Sequence, residues 1–159
     1  MSVVYLPGAV EGVPEGTSES DEWVTPAHIF TPLALEFDFT VDAFAAKENT
    51  RCTRYWTKRT DALRQDWRGE RVWANPPYSD LPRCVEKMAR EADRAQCIVA
   101  LLPAWTDRAW WHDFIESARR DLQVETRFLR GRLRFGTPTN PTAHGRGGGR
   151  FPSVLVIWG

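Results

Sequence analysis

The chain has 159 residues, 42% of them apolar, with eight Trp and eight Phe, enough to bury the core of one ordinary domain and too apolar for a disordered chain. Charge balances at 21 basic against 21 acidic residues, so no global field draws the protein to nucleic acid or to a membrane surface. There is no run of about 18 apolar residues and no signal-peptide layout, and the three cysteines match no zinc spacing, which predicts a soluble cytoplasmic protein with free thiols and no metal.

Residues 1–20 are rich in Gly, Pro, Ser and Glu and read as a flexible arm; residues 21–159 read as one domain. Thr25-Pro26 signals a helix start, with Thr25 as the cap and Pro26 in the first turn. A second Thr-Pro at Thr31-Pro32 predicts a kink or two short pieces before Glu36. "FDFTVDAFA" alternates as a strand that ends at Asp42, "TRYWT" reads as a short strand, and "RVWA" is a strand cut off by Asn75-Pro76-Pro77.

Val85, Met88, Ala89 and Ala92 recur at helical spacing. "CIVALLP" is a continuous apolar run, as in a strand covered on both faces. Thr106 or Asp107 is expected to cap a helix whose apolar side is Trp111, Phe114, Ile115, Ala118 and Leu122. "VETRFLR" and "SVLVIW" are two further strands with no helix between them. The alternation predicts an α/β fold with a mostly parallel sheet, helices on both faces and an antiparallel pair of C-terminal strands.

Ligands of such sheets bind at the carboxyl ends of the strands, which singles out Asp42 and the stretch Asn75, Pro76, Pro77, Tyr78. Two consecutive prolines make a stiff turn that offers carbonyl acceptors and no N–H donors. The Asn75 side-chain oxygen and the Pro76 carbonyl can hold both hydrogens of one exocyclic amine, and Tyr78 offers a face for a base. Acceptors set tetrahedrally around such an amine favour a localised lone pair that attacks an electrophile. The plain alternative is a rigid surface turn. Asp42 and Asp61 have a plain alternative too, as helix caps, and Trp23 as core.

The order "DEWVTP", "VDAFAAKEN", "DALRQDW", "VWANPPYS", "LLPAWTDRAWWH", "GRLRF" resembles the phage-type Dam DNA adenine methyltransferases, over about residues 21–159. The resemblance implies a Rossmann-like methyltransferase fold, S-adenosylmethionine as cofactor and DNA as partner. It implies that Asn75 and Pro76 hold the target amine, with Pro77 completing the loop and Tyr78 stacking on the base. Trp23, Thr25, Pro26, Asp42, Phe44, Ala45 and Asp61 fall at cofactor-binding positions. The chain departs from the wider superfamily in having no glycine in "DAFAAKEN", where glycine normally lets backbone approach a ligand.

The implied reaction moves a methyl group from an already activated sulfonium to the N6 amine of adenine, which needs no metal and no covalent intermediate. Cytosine or a protein glutamine as the acceptor, or a non-catalytic nucleic-acid-binding module, are the alternatives. Between Arg119 and Arg150 eight arginines face two acids, so Arg130, Arg132, Arg134, Arg146 and Arg150 are the candidates for holding DNA phosphates, together with the Gly/Pro-rich loop 136–150. Small size and neutral charge predict a short recognition site or a homodimer. For a phage-encoded protein the setting is the host cytoplasm.

Overall fold

A computed structural model of the chain describes residues 23–121, 123–136 and 151–159. The arm 1–20, Leu122, most of the loop 136–150 and with it Arg146 and Arg150 lie outside the described residues.

Helix α1 (Ala27–Phe37) leads into strand β1 (Val41–Asp42), and strand β2 (Arg71–Ala74) is followed by helix α2 (Leu81–Glu91). Strand β3 (Cys97–Pro103) precedes a helical stretch made of α3 (Ala109–Trp111), a π-helical turn (His112–Glu116) and α4 (Ser117–Arg120). Strands β4 (Val124–Phe128) and β5 (Ser153–Trp158) close the chain. The sheet runs β1-β2-β3-β5-β4. β1, β2 and β3 are parallel neighbours, whereas β5 is antiparallel to both β3 and β4. The expected α/β fold with antiparallel C-terminal strands is the one observed.

The sheet is covered on both faces, and the alternation along its strands shows how. Val72, Ala74, Ile98, Ala100, Leu102, Val154, Val156 and Trp158 point to one side and pack with Leu81, Val85 and Met88 of α2 and with Trp110, Trp111 and Ile115. Trp73, Val99, Leu101, Leu155 and Ile157 point to the other and pack with Leu33, Ile29 and Phe30 of α1. With both faces buried, a strand can be apolar at every position, as "CIVALLP" is.

Several local expectations come out differently. Of the two readings of Thr31-Pro32, a kink or two short pieces, the two pieces do not form: α1 is one helix with Pro32 inside it. Pro32 leaves one helical carbonyl without its N–H partner, that of His28, on the exposed side of the helix where solvent serves it. Thr25 does not cap α1: Pro26 is the N-cap residue and no side chain caps it. Arg108, not Thr106 or Asp107, precedes α3, again without a side-chain cap. "TRYWT" forms only a single-residue bridge, Tyr55 beside Asp42: its three backbone hydrogen bonds go to two residues, Arg54 and Trp56 pairing with Asp42 at the end of β1 and Trp56 with Ala45 in the loop that follows. The π turn, which widens the hydrogen-bonded ring to i→i+5, lets Trp110, Trp111 and Ile115 all be buried.

Candidate functional site

The parallel strands β1 and β2 end on the same edge, and the segment ahead of α1 crosses it. β2 stops at Ala74, and the chain turns through Asn75, Pro76 and Pro77 into a 3-10 turn, Tyr78–Asp80, that leads into α2. Pro76 and Pro77 donate no backbone hydrogen bond, so on the chain from Asn75 to Tyr78 the backbone between the two functional side chains offers acceptors only.

Tyr78 is only 6% exposed. Its ring meets Trp23 edge-on with centroids 5.6 Å apart, Phe151 at 5.3 Å and Trp105 at 5.9 Å. Trp23 in turn stacks on Phe135 at 5.1 Å and on Phe151 at 6.0 Å. The Tyr78 hydroxyl and the Trp105 indole N–H are both buried without a hydrogen-bond partner among the described residues, at a cost of about 1–3 kcal/mol each. Burial pushes the ionisation of the Tyr78 phenol up. The tyrosine expected to offer an open face is therefore enclosed in an aromatic cluster.

Asn75, half-buried, donates from Nδ2 to Oγ1 of Thr25 at 3.3 Å. Thr25 is 2% exposed, and its carbonyl accepts from the guanidinium of Arg51. The Arg51 backbone N–H donates at 2.9 Å to the carboxylate of Asp42. Asp42, 3% exposed at the end of β1, is not a helix cap. Burial pushes its pKa up to about 6, against the pull of hydrogen bonds from Arg51, Phe44 and Thr50. One chain of contacts thus joins the loop after β1, the segment before α1 and the bend after β2.

A cavity of about 490 Å³ opens beside this chain, within the range of small-molecule sites. Phe44 and Ala45 from the loop after β1, Asp61 and Leu63, and Pro77 of the bend line it, together with Asn49. Asn49 shapes the loop by accepting the Ala46 N–H at 2.6 Å, and the methyl groups of Ala43, Ala45 and Ala46 stand where a glycine-rich turn would leave backbone bare. Asp61 caps the 3-10 turn Ala62–Arg64, accepting the Leu63 N–H at 3.1 Å. It does so with a φ of 54°, a left-handed conformation that costs a non-glycine residue about 1–3 kcal/mol and clusters at functional sites. The cap and the cavity lining are compatible, because only one of its carboxylate oxygens is used on Leu63. The turn is anchored from below by Trp67, fully buried, whose indole N–H donates to the Ala62 carbonyl at 3.0 Å.

The predicted residues therefore fall in three places. Asn75 and Tyr78 meet Thr25 and Trp23, with Pro26 buried next in the chain. Phe44, Ala45, Asp61 and Pro77 line the cavity, and Asp42 is outside its lining. Arg130, Arg132 and Arg134 are exposed beyond the end of β4.

A sequence model described as DNA N-6-adenine-methyltransferase (Dam) matches residues 15–159. The chain belongs to the Dam family. Among curated proteins, the DNA N-6-adenine-methyltransferase of Escherichia phage T1 is 30% identical over 107 residues, covering 66% of this chain and 45% of that protein. That of Haemophilus phage HP1 (strain HP1c1) is 29% identical over 110 residues, covering 67% of this chain and 64% of that protein. The matched stretch thus spans less than two thirds of either Dam relative's own length.

For a Dam family chain the sequence motifs leave several residues that build the site unassigned. Arg51 and Phe151 fall outside every motif of the resemblance, whereas Asn49, Trp105 and Phe135 lie inside "VDAFAAKEN", "LLPAWTDRAWWH" and "GRLRF" without a role that the motif itself reveals. Among the described residues no group of three His, Cys, Asp or Glu side chains could hold a metal ion, and no helix is long and apolar enough to cross a membrane.

Proposed function

We propose that the protein transfers the methyl group of S-adenosylmethionine to the N6 amine of adenine in DNA. The observation that carries this reading is the position of the Asn75–Tyr78 bend, whose Pro77 lines the 490 Å³ cavity and whose Tyr78 sits in an aromatic cluster with Trp23. A donor in the cavity and an acceptor base at Asn75 and Tyr78 would meet at that bend.

The cavity fits the cofactor in chemistry as well as size. Its apolar wall of Phe44, Ala45 and Leu63 suits a nucleoside, and Asp61 supplies a carboxylate acceptor for polar hydrogens of the ligand. Asp42, buried at the end of β1 beside that loop, adds a negative charge that favours the ligand's positive end. When bound, S-adenosylmethionine supplies a methyl group already activated by its sulfonium.

The remaining work falls to the chain's own residues. Oδ1 of Asn75 and the Pro76 carbonyl accept the two amine hydrogens and localise the nitrogen lone pair; a nitrogen–carbon bond forms as the carbon–sulfur bond breaks, and one amine proton leaves to solvent. The gain is largest at the transition state, because only a pyramidal nitrogen points both hydrogens at the acceptors. Holding the two reactants in line supplies the rest.

The amine of a paired adenine is inaccessible, so the base is extruded or taken single-stranded, at a cost of a few kcal/mol. Tyr78 receives it once Trp23 gives way. Exposed Arg130, Arg132 and Arg134, with Arg146 and Arg150, hold phosphates. Incubation of the protein with methyl-labelled cofactor and mixed-sequence DNA, followed by digestion to nucleosides, tests the proposal: label in N6-methyladenine is expected. Label in N4-methylcytosine would move the substrate to cytosine, and tight DNA binding with no label at all would make the chain a binding module.

A further inference from the structure

The chain is neutral overall, with 21 basic residues against 21 acidic, but its charges are not neutralised evenly. On and just after α2, Arg83, Lys87, Arg90 and Arg94 each pair with a carboxylate. Lys58, Arg59, Arg64 and Arg68 are all exposed, and none of them forms an ion pair among the described residues. The acids of the same stretch are taken: Asp66 pairs with Arg94 at 2.9 Å, Glu70 with Arg54 at 2.8 Å, and Asp61 caps its turn. A positive field is therefore left over this stretch of a neutral protein.

Two of the four cations stand at the cavity. Lys58 and Arg59 line it together with Pro77 of the bend, and, being exposed, they form part of its rim. Arg64 ends the 3-10 turn whose Ala62 and Leu63 line the same cavity. That placement opposes the ligand proposed for the cavity. S-adenosylmethionine carries a net positive charge, its sulfonium and ammonium exceeding its one carboxylate, so uncompensated cations at the rim repel it. Phosphates laid over the rim remove the repulsion, and the reaction brings DNA to the bend that forms part of the same wall.

We propose that Lys58, Arg59, Arg64 and Arg68 form a phosphate-binding face that lays the DNA backbone across the rim of the cofactor cavity. This rests on the function proposed above and adds a second group of cations to Arg130, Arg132 and Arg134. By linkage, DNA and cofactor then tighten each other's binding. The spent cofactor, a thioether that has lost the sulfonium charge, is repelled less by the bare rim and gains less from DNA.

The first test is the salt dependence of binding to a short oligonucleotide. The double variants Lys58→Gln/Arg59→Gln and Arg64→Gln/Arg68→Gln are each expected to reduce the slope of log affinity against log salt by about two. Arg90→Gln removes an exposed cation that Glu86 holds on α2 and is expected to leave the slope unchanged. An unchanged slope in the Lys58→Gln/Arg59→Gln variant, or the same loss per charge in Arg90→Gln, would overturn the proposal. The second test is cofactor Kd with and without the oligonucleotide. DNA is expected to tighten S-adenosylmethionine binding about two- to fivefold in the wild type, and to have less effect on the thioether product or in Lys58→Gln/Arg59→Gln. Equal coupling in the wild type and that variant would contradict the placement across the rim. Weaker cofactor binding by the variant without DNA would make Lys58 and Arg59 cofactor contacts instead. A wild type that binds no DNA would sink the proposed function, whereas DNA binding with an unchanged slope sinks only this face.

Discussion

The indole of Trp23 lies flat against the ring of Phe135, centroids 5.1 Å apart and planes inclined by 19°, while its edge meets Tyr78 at 5.6 Å. Trp23 thus fills the space between two aromatic rings on the Asn75 side of the bend. Thr25, two residues further along, makes the bond to Asn75.

A base that stacks on Tyr78 must displace this indole and break its ring contacts, each worth about 0.5–1.5 kcal/mol. Trp23→Ala is therefore expected to lower KM for single-stranded DNA severalfold. Steady-state kinetics on a short oligonucleotide check this; a severalfold rise in KM would make Trp23 a contact of the bound base.

Asp42 is expected to give the proposed cofactor site a pH dependence whose sign follows from its burial. Its pKa in the folded chain is raised to about 6 from the ordinary 3.8, so the folded state holds the proton more tightly than the unfolded one. This group's contribution to stability is then greatest when it is protonated and falls as pH rises from about 4 to about 6. A cationic ligand requires the ionised form, so cofactor affinity is expected to fall, by up to about tenfold per unit, as pH drops below 6. Calorimetric titrations between pH 5 and 8 on the wild type and on Asp42→Asn check this: the pH dependence in this window should vanish in the variant, and its persistence would assign it to another group.

Ala45 is 8% exposed and lines the cavity. Leucine there projects three more carbons into the space assigned to the nucleoside. Ala45→Leu is expected to weaken cofactor binding at least tenfold, read as loss of the rise in Tm that the ligand gives the wild type. An undiminished rise would place the cofactor elsewhere.

Arg130, Arg132 and Arg134 are exposed, and each is expected to neutralise about one phosphate. Replacing one by Gln should weaken DNA binding about equally for all sequences and reduce the slope of log affinity against log salt by about one. An unchanged slope removes that residue from the DNA face.

What the sequence made legible were features with local causes. β2, β3 and β5 stand where "RVWA", "CIVALLP" and "SVLVIW" put them, because strands buried on both faces are apolar without interruption. The two-proline bend is visible for the same reason, since proline's effect is confined to its own neighbourhood. What was not legible depends on residues far apart in the chain. Tyr78 looks like an open stacking ring until Trp23, Trp105 and Phe151 close over it. Thr25 reads as a cap because its partner, Asn75, is 50 positions away. Asp42 carries no local sign of a raised pKa, which comes from burial under a loop whose path Asn49 and Arg51 set.

The most direct measurement of the central claim is turnover by Asn75→Ala at saturating cofactor and DNA, set beside cofactor affinity measured separately. Loss of the amide acceptor should reduce kcat by roughly ten- to a thousandfold, with cofactor Kd within about threefold of the wild type. Wild-type turnover in the variant, or a loss explained entirely by weaker cofactor binding, would contradict the role of the bend in holding the amine.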